Sequence, residues 1–527
     1  MKIGYGEEVA KYDRSSTREG REDPPQGFGV RLPFGAFELM AASAKAPEAR
    51  RTPGRCRAGH ATSKSRLLAG GITCGFVIFF LFGCAVGPNY KRPPLETPPA
   101  FRGGNIEDTN TLADLAWSQV FHDEALQDLI RTGLTNNYDV RIAATRIEQA
   151  RQQVAEARAG FFPQFNYSVL AAKGKNVSAG GEPSPGGSTG GEVAVYGSAA
   201  WEIDIWGRIR RLTESARAQF LATEDARRGV VVSLIADIAQ NYLQLLALDE
   251  QLEIARQTTN SFAVSLKIFT DRLQGGLGSR LETASARALM ESAAATIPSL
   301  ERQIVFEENQ ISVLTGRNPG PIKRGSFTLL QQSPPHIPAG LPSTLLERRP
   351  DIREAEQQLR YANAQVGVAV ANFFPKLNLT GLLGQTSPEL SAFTSGGATA
   401  WAIAANLTGP LFHAGELRAK HREALAAREQ SALQYQKTVL VAVQDVSNSL
   451  ISRQKYEEEE VRRRSAAEAY EEAVKTAQER FRIGKSSYYE VLQEQLLLFP
   501  AQNTLVAAEL NHLLGTVQLY RALGGGW

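Results

Sequence analysis

The sequence predicts a mainly α-helical chain with transmembrane β-strands, built from an internal duplication. Three observations carry this: a stretch that recurs at a fixed shift, helical periodicity sustained far beyond a globular helix, and short alternating segments between the helical ones. Asp139–Val154, DVRIAATRIEQARQQV, is matched by Asp351–Val366, DIREAEQQLRYANAQV, a shift of 212 that also carries Phe161-Phe162-Pro163 onto Phe373-Phe374-Pro375. RLQGGLGSRLE from Arg272 matches RFRIGKSSYYE from Arg480 at a shift of 208, so four residues were lost between these landmarks. Each half then has one plan: helix, strand pair, very long helix, turn, long helix.

Taken in order, the chain begins with a segment to be set apart from the fold. The first 83 residues hold 13 Lys and Arg against 8 Asp and Glu, which leaves 45 against 47, a formal charge of −2, for the rest. Charge therefore gives no sign of a nucleic-acid partner. KSRLLAGGITCGFVIFFLFGC, Lys64–Cys84, places basic residues before an apolar run and Gly83 before a cysteine, the layout of an exported precursor. It resembles a bacterial lipoprotein signal, although Phe82 stands where a small residue is usual; the resemblance implies cleavage before Cys84 and acylation of it. Ala85 follows, and the lack of Asp there implies delivery to the outer membrane. The bland alternative is an uncleaved anchor. Residues 1–63 have no clear periodicity and are read as a mis-assigned start, Met40 being one alternative. Cys56 and Cys74 precede Cys84 and no thiol follows it, which excludes a disulfide framework or cysteine metal site downstream.

The long helices come next. Leu245, Leu248, Leu252, Ala255, Thr259, Phe262, Leu266, Phe269 and Leu273 follow at alternating steps of three and four, a heptad seam with one polar member. No proline interrupts Gly207–Leu273, and at 1.5 Å per residue that helix is about 100 Å long. The matching run, from about Gly415 to Phe481, carries Leu425, Ala432, Val439 and Val446 at sevenfold spacing, with EEEEVRRR at Glu457–Arg464 read as a solvated face. Periodicity alone would favour an isolated coiled-coil rod.

The strands argue against that. Val193, Val195, Gly197, Ala199, Trp201, Ile203 and Ile205 alternate with Ala194, Tyr196, Ser198, Ala200, Glu202 and Asp204, and Trp401, Ile403, Ala405 and Leu407 with Ala402, Ala404, Asn406 and Thr408. Phe165, Tyr167 and Val169, and Leu377, Leu379 and Gly381, give shorter versions. Four strands of about ten residues, apolar on one side and polar on the other, suit a transmembrane barrel with a wet interior; a soluble sheet buried on one face is the plainer alternative. Aromatic rings favour the membrane–water boundary, and proline ends a helix while remaining tolerable at a strand start. Phe161, Phe162 and Pro163, with Phe373, Phe374 and Pro375, thus mark where helices meet the bilayer as strands. Gly/Ser/Pro-rich Lys173–Glu192 and the shorter Thr386–Gly397 form the loops between strands. Four strands cannot close a barrel, and open edges are intolerable in hydrocarbon, so the chain must oligomerise; physics does not fix the number.

Both helical hairpins turn through R-x-x-x-G-x-x-S-x-x-E, at Arg272, Gly276, Ser279 and Glu282, and at Arg480, Gly484, Ser487 and Glu490. Gly ends one helix left-handed, Ser caps the next, and Glu completes a capping box. Signs of an enzyme are absent: His122, His336, His413, His421 and His512 are scattered, with no zinc spacing, nucleophile elbow or phosphate loop, and no metal or other cofactor is implied.

CAVGPNYKRPP at Cys84, WSQVFHDEALQDLI at Trp117, WEIDIWGRIRR at Trp201, LPSTLLERRPDIREAE at Leu341 and GPLFHAGELRAK at Gly409, in this order, resemble the TolC-like outer membrane efflux factors. The likeness is to their lipoprotein (NodT/OprM-like) branch serving resistance-nodulation-division pumps, and it spans roughly Cys84–Gly524. It implies a homotrimer in outer membrane lipid, with a twelve-stranded β-barrel continued by a twelve-helix periplasmic tunnel. An equatorial belt would use the chain ends and the linker Gly316–Pro342. The domains are then 1–83, extension and signal; 84–316, first repeat; 317–342, linker; and 343–527, second repeat. The resemblance also implies a passive exit duct fed by an inner-membrane pump through a periplasmic adaptor that meets Arg272, Gly276, Ser279, Arg480, Gly484 and Ser487. Acidic side chains early in the last helix ring the constriction in such proteins. Glu490 and Gln493 match those gate positions, Gln493 replacing the common Asp. A protein secretion conduit and a non-transporting coiled-coil scaffold are the alternatives; the latter leaves the Trp-bearing strands without a role.

Overall fold

A computed structural model describes residues 85–95, 98–103, 116–175, 189–325, 329, 342–388, 393 and 399–525, all within one compact unit, Gly70–Trp527. Cys84 and the signal lie outside these residues, as do most of both strand-connecting loops and of the linker.

The duplication is metrically tight. After α1 (Trp117–Val120) and α2 (Glu124–Asn136), the first half runs α3 (Tyr138–Ala159), β1 (Gln164–Lys175), β2 (Thr189–Ile203), α4 (Arg208–Gln274) and α5 (Arg280–Leu314). The second begins with α6 (Pro342–Arg348) and repeats the plan as α7 (Pro350–Ala371), β3 (Lys376–Ser387), β4 (Thr399–Thr408), α8 (Glu416–Arg482) and α9 (Tyr488–Ala522). α3 and α7 both have 22 residues, α4 and α8 both 67, and α5 and α9 both 35. The shift is 212 up to the first strand of each pair and 208 from the long helices onward. The lost residues therefore fall within the second strand pair and its loop.

Local chemistry sets the helix ends. Gly207 and Gly415, at φ 79° and 89°, turn the chain from strand into long helix, and the Asp204 carboxylate accepts from the Ile209 and Arg210 amides of α4's first turn at 3.0 and 2.9 Å. The far ends of α4, α5, α8 and α9 all close with a left-handed glycine: Gly276, Gly316, Gly484 and Gly524. At each, the amide one residue later bonds back five residues, as from Leu277 to Arg272 and from Lys485 to Arg480, both at 2.8 Å.

α4 is the central wall helix, packing on α3, α5, α7 and α9. Leu245, Leu248, Leu252, Ala255, Phe262 and Phe269 of its seam are buried. It is long and apolar enough to cross a bilayer, but its apolar window is 61% buried inside the fold, which makes it core. α8, equally long, has 8 buried residues against 24 in α4, and none between Glu416 and Gln434. Its first 19 residues therefore contribute no buried side chain to the core.

Candidate functional site

The four strands form one antiparallel sheet in the order β1-β2-β3-β4. Directly opposed residues of antiparallel strands share a face. The registers Tyr167↔Gly197, Gly197↔Leu383 and Leu383↔Trp401 therefore place Tyr167, Leu383 and Trp401 together, and Phe165, Val169, Val195, Trp201, Ile403 and Leu407 join them. This apolar face is bare: Tyr167 is 86% and Ile403 82% exposed. The opposite face carries Asn166, Ser198, Glu202, Asn378, Thr380 and Asn406. The strand alternation read from sequence is thus a physical surface, except that Asp204 and Ile205 lie beyond the end of β2. Among the described residues β1 and β4 each have one unpaired edge, so the sheet offers hydrocarbon-like chemistry outward and two rows of free backbone groups sideways.

At the strand–helix junctions, Phe161 and Phe162 occupy a turn in which their amides bond back to Arg158 and Ala159, and the Trp201 indole donates to the Phe161 carbonyl at 2.9 Å. Phe162 is exposed. In the second half Phe374 instead stacks on Trp206 at 4.5 Å, whose indole donates to the Pro375 carbonyl at 2.8 Å, and Phe373 meets His421 edge-on. The aromatic pairs are therefore not equivalent: both present a ring outward, Phe162 and Phe373, but only the second, through Phe374 on Trp206, ties the two halves. The amide of Val86 donates to the Trp206 carbonyl at 3.0 Å, and Arg211 donates to the Val86 and Gly87 carbonyls and to Asn89. The described chain thus starts at this same junction. It descends to Glu356, held by Arg92 and Arg360; burial and that carboxylate push the Tyr90 phenol up to about 12, so Tyr90 stays a donor to it.

The two helical tips differ. At the first, Ser279 Oγ accepts from Leu281 N at 3.0 Å and Glu282 accepts from Ser279 N at 2.9 Å, a complete capping box. The second has none, which corrects the sequence reading: the Ser487 side chain makes no cap bond, and Glu490 faces Arg480 at 3.5 Å. The reason is Tyr488. Where the first tip has exposed Arg280, Tyr488 is buried edge-on between Phe269 and Phe481 and bonds Ser265 Oγ at 2.8 Å, so tertiary packing sets α9's first turn. Gln493 donates to the Tyr489 hydroxyl on the exposed side.

A family model for outer membrane efflux protein matches residues 129–317 and 341–525, one match to each repeat. The chain belongs to that family. This efflux protein is 34% identical over 457 residues to the probable efflux pump outer membrane protein TtgC of Pseudomonas putida, covering 85% of this chain and 94% of that one. It is 30% identical over 454 residues to the probable outer membrane lipoprotein SilC of Salmonella typhimurium, 85% and 97% covered. The open-state outer membrane channel MtrE of Neisseria gonorrhoeae superposes with a TM-score of 0.77 at 29% identity, over 84% of this chain and 98% of that one. The efflux protein is thus an outer membrane channel whose sheet and long helices are the barrel and periplasmic tunnel of that architecture.

One feature of the efflux protein's wall was missed in its sequence. Within EEEEVRRR, Glu460 and Arg464 are not a solvated face: Arg464 bridges Glu460 and Glu509 at 2.7 and 2.8 Å, and His512 Nδ1 lies 2.6 Å from Glu460. The Glu509 side chain is 4% exposed. Burial pushes its carboxyl up to about 7; Arg464 opposes this, while Glu250 and Glu460 add to it. The repeat held the signal, because 208 residues earlier Arg256 pairs with Glu301 at 3.0 Å.

Proposed function

We propose that three copies of the chain close one twelve-stranded barrel, β4 of each pairing with β1 of the next, above a common helical tunnel through which small molecules leave passively. The observation that carries this is the sheet with a bare apolar face and two unpaired edges, which in a bilayer is stable only when the edges are joined. The underpacked upper part of α8 supports it, since in a ring of copies it lies against a neighbour. Acylation of Cys84 fits this reading, since Val86, bonded to the Trp206 carbonyl, lies at the strand–helix junctions, where in this reading Phe161, Phe162, Pro163, Phe373, Phe374 and Pro375 mark the membrane boundary.

At the other end, exposed Leu277, Leu281 and Ile483 surround Arg272, Gly276, Ser279, Arg480, Gly484 and Ser487, an apolar and basic surface suited to a periplasmic adaptor that delivers cargo from a resistance-nodulation-division pump. Glu490 and Gln493 form the gate. Free of any capping duty, Glu490 holds Arg480 across the hairpin, and opening loosens this pair while the protein performs no covalent chemistry. Reconstitution in planar bilayers tests the reading: the wild type conducts in discrete low steps, and Glu490→Ala raises single-channel conductance. Unchanged conductance in the variant removes Glu490 from the gate, and a stable single-copy species without pore activity overturns the channel assembly.

A further inference from the structure

A cleft of about 1020 Å³ opens between α3 and α4 directly beneath the junction, with Phe161 and Phe162 at its upper rim and Leu221 below. Four arginines reach it: Arg158, Arg210, Arg217 and Arg360. Arg210 is engaged by Asp204 and Arg360 by Glu356, whereas Arg158 and Arg217 are exposed and pair with no acidic group among the described residues. The one acid on the cleft, Glu214, is already committed to Arg211 at 2.8 Å. Net positive charge therefore stands unanswered in an amphipathic recess.

Three polar atoms of residues on the cleft wall, Thr213 Oγ1, Gln357 Oε1 and Arg360 Nε, are buried with no hydrogen-bond partner. Thr213 as a residue is 6% exposed. Orphaned buried polar groups are unusual in native folds, and three around one cavity indicate something that completes them. Two donors, a hydroxyl and a guanidinium N–H, with two free guanidinium forks suit the oxygens of a phosphate, and the Gln357 amide oxygen, an acceptor, suits a headgroup hydroxyl.

Depth and direction narrow the ligand. Arg158 and Arg210 lie within one turn of the strand–helix junctions. Side chains tilt toward a helix N-terminus, so those of α4, which starts at the junction, lean toward the membrane, and those of α3, which ends there, lean away from it. Arg158 from one and Arg217 from the other thus converge on the layer of a few ångströms to about 10 Å in which headgroups sit. We propose that this cleft binds the phosphate headgroup of an anionic phospholipid, with the start of its acyl chains against Phe161, Phe162 and Leu221. The inference rests on the membrane boundary proposed above.

A short-chain lipid that is monomeric in solution separates the two readings, because it reports the cleft wherever the bilayer lies. Dihexanoyl phosphatidylglycerol is titrated into the full-length protein in detergent and followed by calorimetry. Saturable binding is expected, weakened at least about tenfold in Arg158→Gln/Arg217→Gln and several-fold in Thr213→Val, with unchanged melting of the lipid-free variants. Dihexanoyl phosphatidylcholine and inorganic phosphate are expected to bind at least about tenfold more weakly than the anionic lipid. Equal binding of inorganic phosphate makes this a site for a free anion and overturns the lipid assignment. Equal binding of the choline lipid, no saturable binding, or an arginine variant that binds as well as the wild type overturns it too. The boundary is read separately, from quenching of tryptophan fluorescence by brominated lipids.

Discussion

The two halves contain the same ion pair in two environments. Arg256–Glu301 and Arg464–Glu509 occupy equivalent positions at a shift of 208, with separations of 3.0 and 2.8 Å. In the first half both side chains are half exposed; in the second Glu509 is shut away beside Glu250, Glu460 and His512, because α9 packs on α4 and α5 has no matching contact with α8. Exposed pairs of this kind contribute little to stability, whereas a buried one couples stability to protonation. Duplication therefore copied the backbone and left each wall to acquire its own chemistry. The half that carries the candidate gate acquired the titratable core.

The belt repeats the lesson. Asn137 and Arg349, at the N-cap positions of α3 and α7, each donate to the last carbonyl of the far helix of their own half: Asn137 Nδ2 to Leu314 O at 2.9 Å, and Arg349 Nη1 to Ala522 O at 3.0 Å. Asn137 also accepts the Asp139 and Val140 amides, while Arg349 adds Ala442 O, Asp351 and Asp445. The largest expected effect breaks this symmetry. Arg349→Ala destabilises by about 3 kcal/mol, since it strips two buried carbonyls and two carboxylates of their partner, and Asn137→Ala by about 2 kcal/mol, one cap and one buried bond. Hydrogen exchange at the ends of α9 and α5 checks this: each variant speeds exchange in its own half, Arg349→Ala more. Equal effects would mean that the charged partners add nothing.

The next effect is set by pH. Glu509 is raised from an ordinary carboxyl to about 7, so between about 4.5 and 7 the folded protein binds more protons there than the unfolded chain. Stability therefore falls as pH rises through that window and levels off above 7, by roughly 3 kcal/mol. Melting temperatures from pH 5 to 8 should decline less in Glu509→Gln, while Glu301→Gln follows the wild type. A parallel decline in Glu509→Gln would place the titration elsewhere.

What the sequence disclosed follows from how each feature is encoded. The repeat shifts, the two strand faces and the left-handed glycines are local patterns, visible because a face recurs every second residue and a helix end needs a glycine where φ is positive. The sequence does not distinguish Glu460 and Arg464 from a solvated face, because a charge run has the same composition whether it meets water or another helix, and only α4 and α9 decide which. Likewise, nothing local ties Asn137 to Leu314, 177 residues away.

The tips give the smallest effect and the cleanest discrimination, since here the sequence pattern is identical and the structures differ. Ser279→Ala removes a cap bond and breaks the box with Glu282, a loss of about 1 kcal/mol confined to the start of α5. Ser487→Ala removes no bond from α9, whose first turn is fixed by Tyr488 against Phe269, Phe481 and Ser265, so its cost is within about 0.5 kcal/mol. Amide exchange resolved to the first turns of α5 and α9 separates the two. If Ser487→Ala frays α9 as much as Ser279→Ala frays α5, then Ser487 caps its helix in solution, Glu490 returns to the capping box, and the side chain assigned to the gate is no longer free to serve it.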